Sequence, residues 1–114
     1  MKDRFPGFKR CMAMMRKHNP QTQEDGFYFL HSRANEYIDE LIIEFRDETK
    51  NFGLRWWLLE LIGEARSPKA FDVLVQYLDA EDESLRFWAI RGLEKLNTKE
   101  AREILWETMK KSSP

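Results

Sequence analysis

The chain has 114 residues, of which 42% are hydrophobic and 34% charged, as expected for one globular domain. Its net charge of −1 argues against strong sequence-independent binding to nucleic acid, which needs a basic surface. Its one cysteine, Cys11, excludes an intramolecular disulfide, and no stretch has the apolar length of a signal peptide or of a membrane span. These features predict a cytoplasmic protein.

The first predicted element is an amphipathic helix over residues 7–18. Its apolar side chains recur at helical spacing: Phe8, Cys11, Met12 and Met15. Residues 1–18 hold six bases and one acid, so this end of the chain is strongly basic. The sequence "HNPQ" predicts the end of the helix.

A second helix is predicted after a turn at Asp25 and Gly26, since an Asp-Gly pair is typical of turns. It begins at Phe27. The sequence leaves two alternatives open: this helix breaks near Asn35, or it continues to Phe45.

A helix over about 35–49 carries a regular series of acidic residues. Four glutamates recur at four-residue spacing: Glu36, Glu40, Glu44 and Glu48. We call these four residues the acidic row. Two interpretations are open: a solvated outer face that Arg46 or the basic N-terminus neutralises, or a docking surface for a basic protein.

The rest of the chain predicts four regular helices and no strand. Their ranges are about 52–65, 68–79, 83–96 and 98–110. Ser67 before Pro68, and Thr98 before an acidic first turn, are typical helix starts.

An internal repeat of 31 residues relates these helices. "LRWWLLEL" at 54–61 matches "LRFWAIRG" at 85–92, and the matches continue further along the chain. The leading equivalent pairs are Leu54 and Leu85, Arg55 and Arg86, Trp56 and Phe87, and Trp57 and Trp88.

The stretch "SPKAFDVLVQYLDAEDESLRFWAIRGLEKL" resembles HEAT repeats of the short bacterial type, a group that includes bilin-lyase-type proteins. The resemblance covers about Glu36 to Trp106. It implies an all-α, right-handed α-solenoid of antiparallel helix pairs with about six or seven helices. In one domain, 1–114, residues 1–34 would form irregular capping helices and residues 35–111 the regular repeats.

The resemblance also implies a structural ladder between successive repeats. In that family an acid before the Leu-Arg pair and the arginine itself form the ladder. The corresponding residues here are Asp82 and Arg86, with Arg55 one repeat earlier; Asn51 stands where the counterpart of Asp82 would be. The chain departs from the family at Trp57 and Trp88, where alanine is usual, and we expect both to fill the core.

The second helix of each pair is expected to line the concave face of such a solenoid. Helical geometry places the following residues on the outward arc: Trp56, Glu60, Gly63, Glu64, Phe87, Arg91, Glu94 and Lys95, with part of Leu59 and Ile90. Trp56 and Phe87 are expected to be exposed anchors for a partner protein. Four charged residues are expected to form a polar rim around them: Glu60, Glu64, Arg91 and Lys95. Alternatively, both aromatics pack on neighbouring helices or on the N-terminal cap.

The sequence therefore predicts a non-catalytic protein-binding module. A narrower hypothesis is an immunity-type inhibitor that masks a basic toxin or effector domain through the acidic row. The alternatives are a HEAT-like protein that binds nucleic acid and an accessory or scaffold subunit of a larger enzyme complex. We expect a monomer or homodimer that does not bind membranes.

Catalytic residues, metal ligands and cofactors are not predicted. His18 and His31 have no metal-ligand spacing with each other or with Cys11, and the five glycines form no phosphate-binding loop. Glu60 and Glu64 lie one turn apart, which is ordinary in a helix.

Overall fold

The computed structural model describes residues 4–112, and within this range the regular structure is entirely helical. A short 3₁₀ turn at Pro68–Ala70 precedes the fifth α-helix. The helices are α1 (Phe8–Met15), α2 (Pro20–His31), α3 (Ile38–Asp47), α4 (Phe52–Glu64), α5 (Phe71–Gln76), α6 (Glu83–Leu96) and α7 (Lys99–Ser112). The all-α prediction is confirmed.

The helices form an α-solenoid. α1 packs on α2, α3 on α4, and α5 on α6, while α2, α4 and α6 contact one another in sequence. We call these three helices the inner row. Because the helix pairs stack in one direction, the described residues form an elongated body with extents of 50 × 26 × 20 Å. The handedness of the solenoid stays a prediction.

Capping side chains mark where the later helices begin. The Asn51 side chain accepts a hydrogen bond from the Leu54 backbone N–H at 3.0 Å. Asp82 does the same for the helix one repeat later, accepting from Ser84 at 2.9 Å. The predicted starts at Ser67 and Thr98 are confirmed, since each side chain accepts from a backbone N–H in the first turn. These local signals explain why the sequence placed α4, α6 and α7 within two residues.

The predicted turn at Asp25 and Gly26 is wrong, because both residues lie inside α2. A Cβ on Gly26 would lie 2.7 Å from the Cys11 carbonyl oxygen. The glycine therefore allows α1 and α2 to touch, and it does not form a turn. α2 instead begins at Pro20, directly after its N-cap residue Asn19. The Asn19 side chain accepts a hydrogen bond from the Thr22 backbone N–H at 3.0 Å.

The open question about residues 27–49 is answered by two helices. α2 ends at His31, residues 32–37 form turns, and α3 begins at Ile38. The predicted helix over 35–49 is therefore shorter at both ends.

The core lies between the two rows of helices and is centred on α4. Leu58, Leu59, Leu61 and Ile62 of this helix are completely buried. At the N-terminal end, Phe27 of α2 packs against Trp57 of α4 with the ring centroids 4.8 Å apart and the rings tilted by 34°. This contact joins the first helix pair to the second. The role of residues 1–34 as a cap stays a prediction.

Candidate protein interface

The inner row presents one narrow polar and aromatic stripe, because neighbouring helices cover most of α4. The stripe consists of Trp57, Glu60 and Glu64, all half-buried. Leu59 and Gly63 were expected on the outward arc, and this prediction is wrong. α6 packs on that side of α4, so both residues are buried.

Trp56 lies beside this stripe, with 37% of the residue exposed. Its indole Nε1–H donates to both carboxylate oxygens of Asp82, at 2.9 and 3.1 Å. Asp82 is the N-cap of α6, so one carboxylate orients the indole of one repeat and begins a helix of the next. Trp56 is thereby held in one orientation at the surface.

Phe87 occupies the equivalent position on α6 and is 52% exposed. Its ring packs edge-to-face on Trp88, with centroids 4.9 Å apart and an interplanar angle of 82°. Trp56 and Phe87 line different shallow depressions, of about 300 and 460 Å³. The structure therefore places the two rings on adjacent helices, in two separate depressions.

The expectation that Trp57 and Trp88 fill the core is met only in part, because both pack against the core but remain half-buried. Trp57 is covered by Phe27 on one side, while Trp88 is covered by Phe87. The core position next to them in the repeat belongs to Leu58 and Ala89, which are completely buried. Each tryptophan thus lies at the edge of the core, on the accessible side of the inner row.

Glu64 of the stripe belongs to a small network of charged and polar side chains that crosses the inner row. The Lys95 ammonium of α6 donates to the Glu64 carboxylate of α4, and His31 of α2 lies 3.4 Å from the same carboxylate. The hydrogen bond from Lys95 lowers the pKa of Glu64, against the opposing effect of burial. Arg91 pairs at 3.3 Å with Glu94 on its own helix.

Glu60 differs from Glu64 although the two lie one turn apart. Burial raises the pKa of Glu60, and the electrostatic interactions with His31 and Lys95 only partly oppose this. The carboxylate of Glu60 is therefore the less well compensated charge of the stripe.

The three residues of the implied ladder have different partners. Arg86 donates to the Ala80 carbonyl oxygen in the turn between α5 and α6. The guanidinium of Arg55 lies 4.2 Å above the Phe45 ring and donates to the Tyr77 hydroxyl at 3.2 Å. It thus joins α3, α4 and the end of α5, while its Nε is buried without a hydrogen-bond partner among the described residues. Phe45 and Tyr77 were missed by the sequence, since nothing in their spacing marks them as partners of an arginine.

Asp82 caps the N-terminus of α6 with a side chain that can carry a negative charge. Burial alone would raise the pKa of this carboxyl, but hydrogen bonds from Trp56 and from the Leu85 and Ser84 backbone outweigh it, and the nearby Arg55 adds to them. The net result is a lowered pKa. Asn51, at the equivalent place, caps α4 without a charge.

The acidic row does not form one helical stripe, so that expectation is wrong. Because α3 is shorter than predicted, Glu36 lies before its first residue. Glu48 is the C-cap residue of α3 and has extended backbone. Arg16 of the basic N-terminal segment lies 3.2 Å from both Glu44 and Glu48. Arg33 also lies 4.0 Å from Glu36. Three of the four carboxylates are therefore within ion-pair distance of an arginine of the chain, which agrees better with the first of the two interpretations.

A match to a known protein family agrees with these features: the helix pairs, the capping acid and the repeated Leu-Arg. The sequence model of the family described as HEAT repeats matches residues 38–114. The chain belongs to the HEAT-repeat family. Neither the curated proteins nor the solved structures include a significant match to this HEAT-repeat chain. HEAT repeats are generally non-catalytic scaffolds, and membership suggests a helical-repeat protein-interaction module.

Three further observations concern sites of other kinds. Within residues 4–112, no group of three or more His, Cys, Asp and Glu side chains is arranged to hold a metal ion. The described helices include none with the length and apolar character needed to cross a membrane. The thiol of Cys11 is completely buried, and burial raises its pKa.

Proposed function

We propose that this HEAT-repeat chain is a non-catalytic module that binds another protein through α4 and α6. Two aromatic residues would be the anchors and four charged residues the rim. These residues are Trp56, Phe87, Glu60, Glu64, Arg91 and Lys95.

The observation that carries the proposal is the fixed orientation of both exposed aromatics. Large aromatic side chains dominate the free energy of many protein interfaces. Ordering a mobile side chain on binding costs about 0.5–1.5 kcal/mol, and this cost falls when the side chain is already held in place. Asp82 holds Trp56 through two hydrogen-bond contacts, and Trp88 supports Phe87.

The charges around the anchors favour a protein partner over nucleic acid. Glu64 neutralises Lys95, and Glu94 neutralises Arg91, so the surface has no excess of positive charge. A nucleic-acid surface needs cations that remain available for phosphate. A mixed rim of this kind instead supports specificity between proteins.

The narrower hypothesis of an immunity-type inhibitor rests on the acidic row. Arg16 pairs with Glu44 and Glu48, so a basic toxin or effector would meet mainly Glu40 and Glu36. Glu36 itself lies 4.0 Å from Arg33. This surface is smaller than the row suggested, and the inner row therefore supports the proposal better. An accessory role in an enzyme complex would use the same inner surface.

Affinity capture from the source cells tests the proposal when wild type is compared with a Trp56→Ala, Phe87→Ala double variant. The matched control is Ile43→Ala, since Ile43 is an exposed apolar residue on α3, outside the inner row. We expect a partner that wild type and control retain and the double variant loses, with melting curves showing that all three are folded. Equal retention by the double variant would contradict the proposal.

If the double variant unfolds, Phe87→Ala alone decides the question, because Phe87 makes no capping contact and is half exposed. The dissociation constant of the identified partner should then rise at least tenfold, about 1.4 kcal/mol. The single cysteine fits a reducing compartment, so the cytoplasm is the proposed place of binding.

A further inference from the structure

The outer face of α7 is more exposed than the equivalent residues one repeat earlier, which lie in α5 and directly after it. Trp106 and Met109 are 62% and 65% exposed. The equivalent residues 31 positions earlier are Val75, which is half-buried, and Leu78, which is 6% exposed. The repeat thus identifies positions that are covered in one repeat and uncovered in the next.

A further repeat stacked in the same manner would place one of its helices on α6, and this packing does not fit. α4 and α6 approach closely because Gly63 faces Gly92, and a Cβ on Gly63 would lie 2.8 Å from the Gly92 Cα. The residue equivalent to Gly63 on α6 is the exposed Glu94. A helix packed on α6 as α6 packs on α4 would collide with this side chain. Phe87, in place of Trp56, also has no N–H to donate to a capping carboxylate.

The exposed face of α7 has a charge pattern that is complementary to itself. Glu103, Trp106 and Lys110 follow one another at i, i+3 and i+7, so they form one stripe along the helix, and all three are exposed. The stripe carries a negative charge, then an aromatic ring, then a positive charge. A two-fold axis near Trp106 would place Glu103 of each antiparallel α7 opposite Lys110 of the other.

We propose that a second copy of this chain covers this face, with the two α7 helices packed antiparallel about a two-fold axis. The Trp106 rings lie at the centre of the interface, and Met109 extends its apolar part. Glu103 and Lys110 form an ion pair at each end. Because one helix per copy forms the centre, the interface is small and the dimer reversible.

Sedimentation equilibrium of the full chain over a concentration series reaching about 1 mM tests the dimer. Wild type should shift from monomer to dimer, and Trp106→Ser should shift the midpoint at least tenfold upward. Glu103→Lys alone and Lys110→Glu alone should also weaken the dimer, since each creates two pairs of like charges across the axis.

An equimolar mixture of the Glu103→Lys and Lys110→Glu variants provides the sharpest readout. In the mixed dimer every charge faces its opposite, so association should return to the wild-type level. The control is Glu24→Lys, which makes the same charge change at an exposed residue of α2, in the first helix pair, and should leave association unchanged. A wild type that stays monomeric at every concentration would overturn the proposal. So would a dimer that the two charge reversals leave intact, or a mixture that fails to associate.

Discussion

Gly63 and Gly92 lie in direct contact where α4 passes α6. A Cβ on Gly63 would lie 2.8 Å from the Gly92 Cα, and one on Gly92 would lie 3.1 Å from the Gly63 Cα. Neither glycine has a positive φ, so close approach of the two helices, and not backbone conformation, requires them. This contact fixes the distance between successive repeats in the inner row.

Gly63→Ala should destabilise the chain although alanine favours helix formation. The added methyl meets backbone atoms of α6, so the helices must separate, at a cost of about 1–3 kcal/mol in the free energy of unfolding. The matched control is Gly53→Ala in the same helix, where the nearest atom to a Cβ is Asn51 Oδ1 at 3.8 Å. Gly53→Ala should stabilise by up to about 1 kcal/mol. Urea denaturation measures both, and equal effects would contradict the close contact.

Asp82→Ala should lower the free energy of unfolding by about 1–2 kcal/mol, because α6 loses its cap. Asp82→Asn keeps an acceptor oxygen and should lose less. The lowered pKa of Asp82 gives the pH dependence: its contribution is complete above the unfolded value of about 3.9 and is lost as pH falls through the folded value. The difference between wild type and Asp82→Ala in urea denaturation should therefore shrink at acid pH. A difference that stays constant would exclude a role for the ionised carboxylate.

Glu60→Gln and Glu64→Gln should have opposite effects at neutral pH. Since the pKa of Glu60 is raised, its ionised form opposes folding, and that penalty appears as pH rises through the folded pKa. Since the pKa of Glu64 is lowered, its ionised form stabilises the fold and this contribution is lost in acid. Glu60→Gln should therefore raise the melting temperature, and Glu64→Gln should lower stability by about 1 kcal/mol. Melting curves at several pH values test both signs in two variants of the same size.

Arg55→Lys should destabilise more than Arg86→Lys, although both keep the charge. A lysine cannot reproduce the planar contact over Phe45 together with the hydrogen bond to Tyr77, and the loss should be about 1–2 kcal/mol. Arg86 makes one hydrogen bond to the Ala80 carbonyl oxygen, which an ammonium can also donate. Tyr77→Phe should account for about 1 kcal/mol of the Arg55 effect. A greater loss in Arg86→Lys would show that this view of Arg55 is wrong.

The repeated part of the chain was predictable because local signals and the 31-residue period agree there. α4 and α6 start and end within one residue of the prediction, and each begins at a capping side chain. The N-terminal third was less predictable. Gly26 has the sequence signature of a turn, and only the position of α1 in space shows that the glycine is needed for helix contact.

The candidate interface shows a second limit of helical periodicity. The spacing indicates which residues of α4 are apolar. It cannot distinguish a residue that α3 of the same helix pair buries from one that α6 of the next repeat buries. Leu59 and Gly63 were therefore placed on the open side, and Trp57 in the core. The hydrogen bond between Trp56 and Asp82 joins residues 26 positions apart, which no local pattern reveals.

The Asp82 carboxylate makes Trp56 a reporter on the junction between two repeats. Because the indole belongs to one repeat and its acceptor to the next, a change in the angle between them alters the hydrogen bond and the exposure of the ring. A partner that holds the indole in its present position would also resist bending at this junction. If the proposed partner binds at Trp56, its binding would therefore also make the junction between the two repeats stiffer.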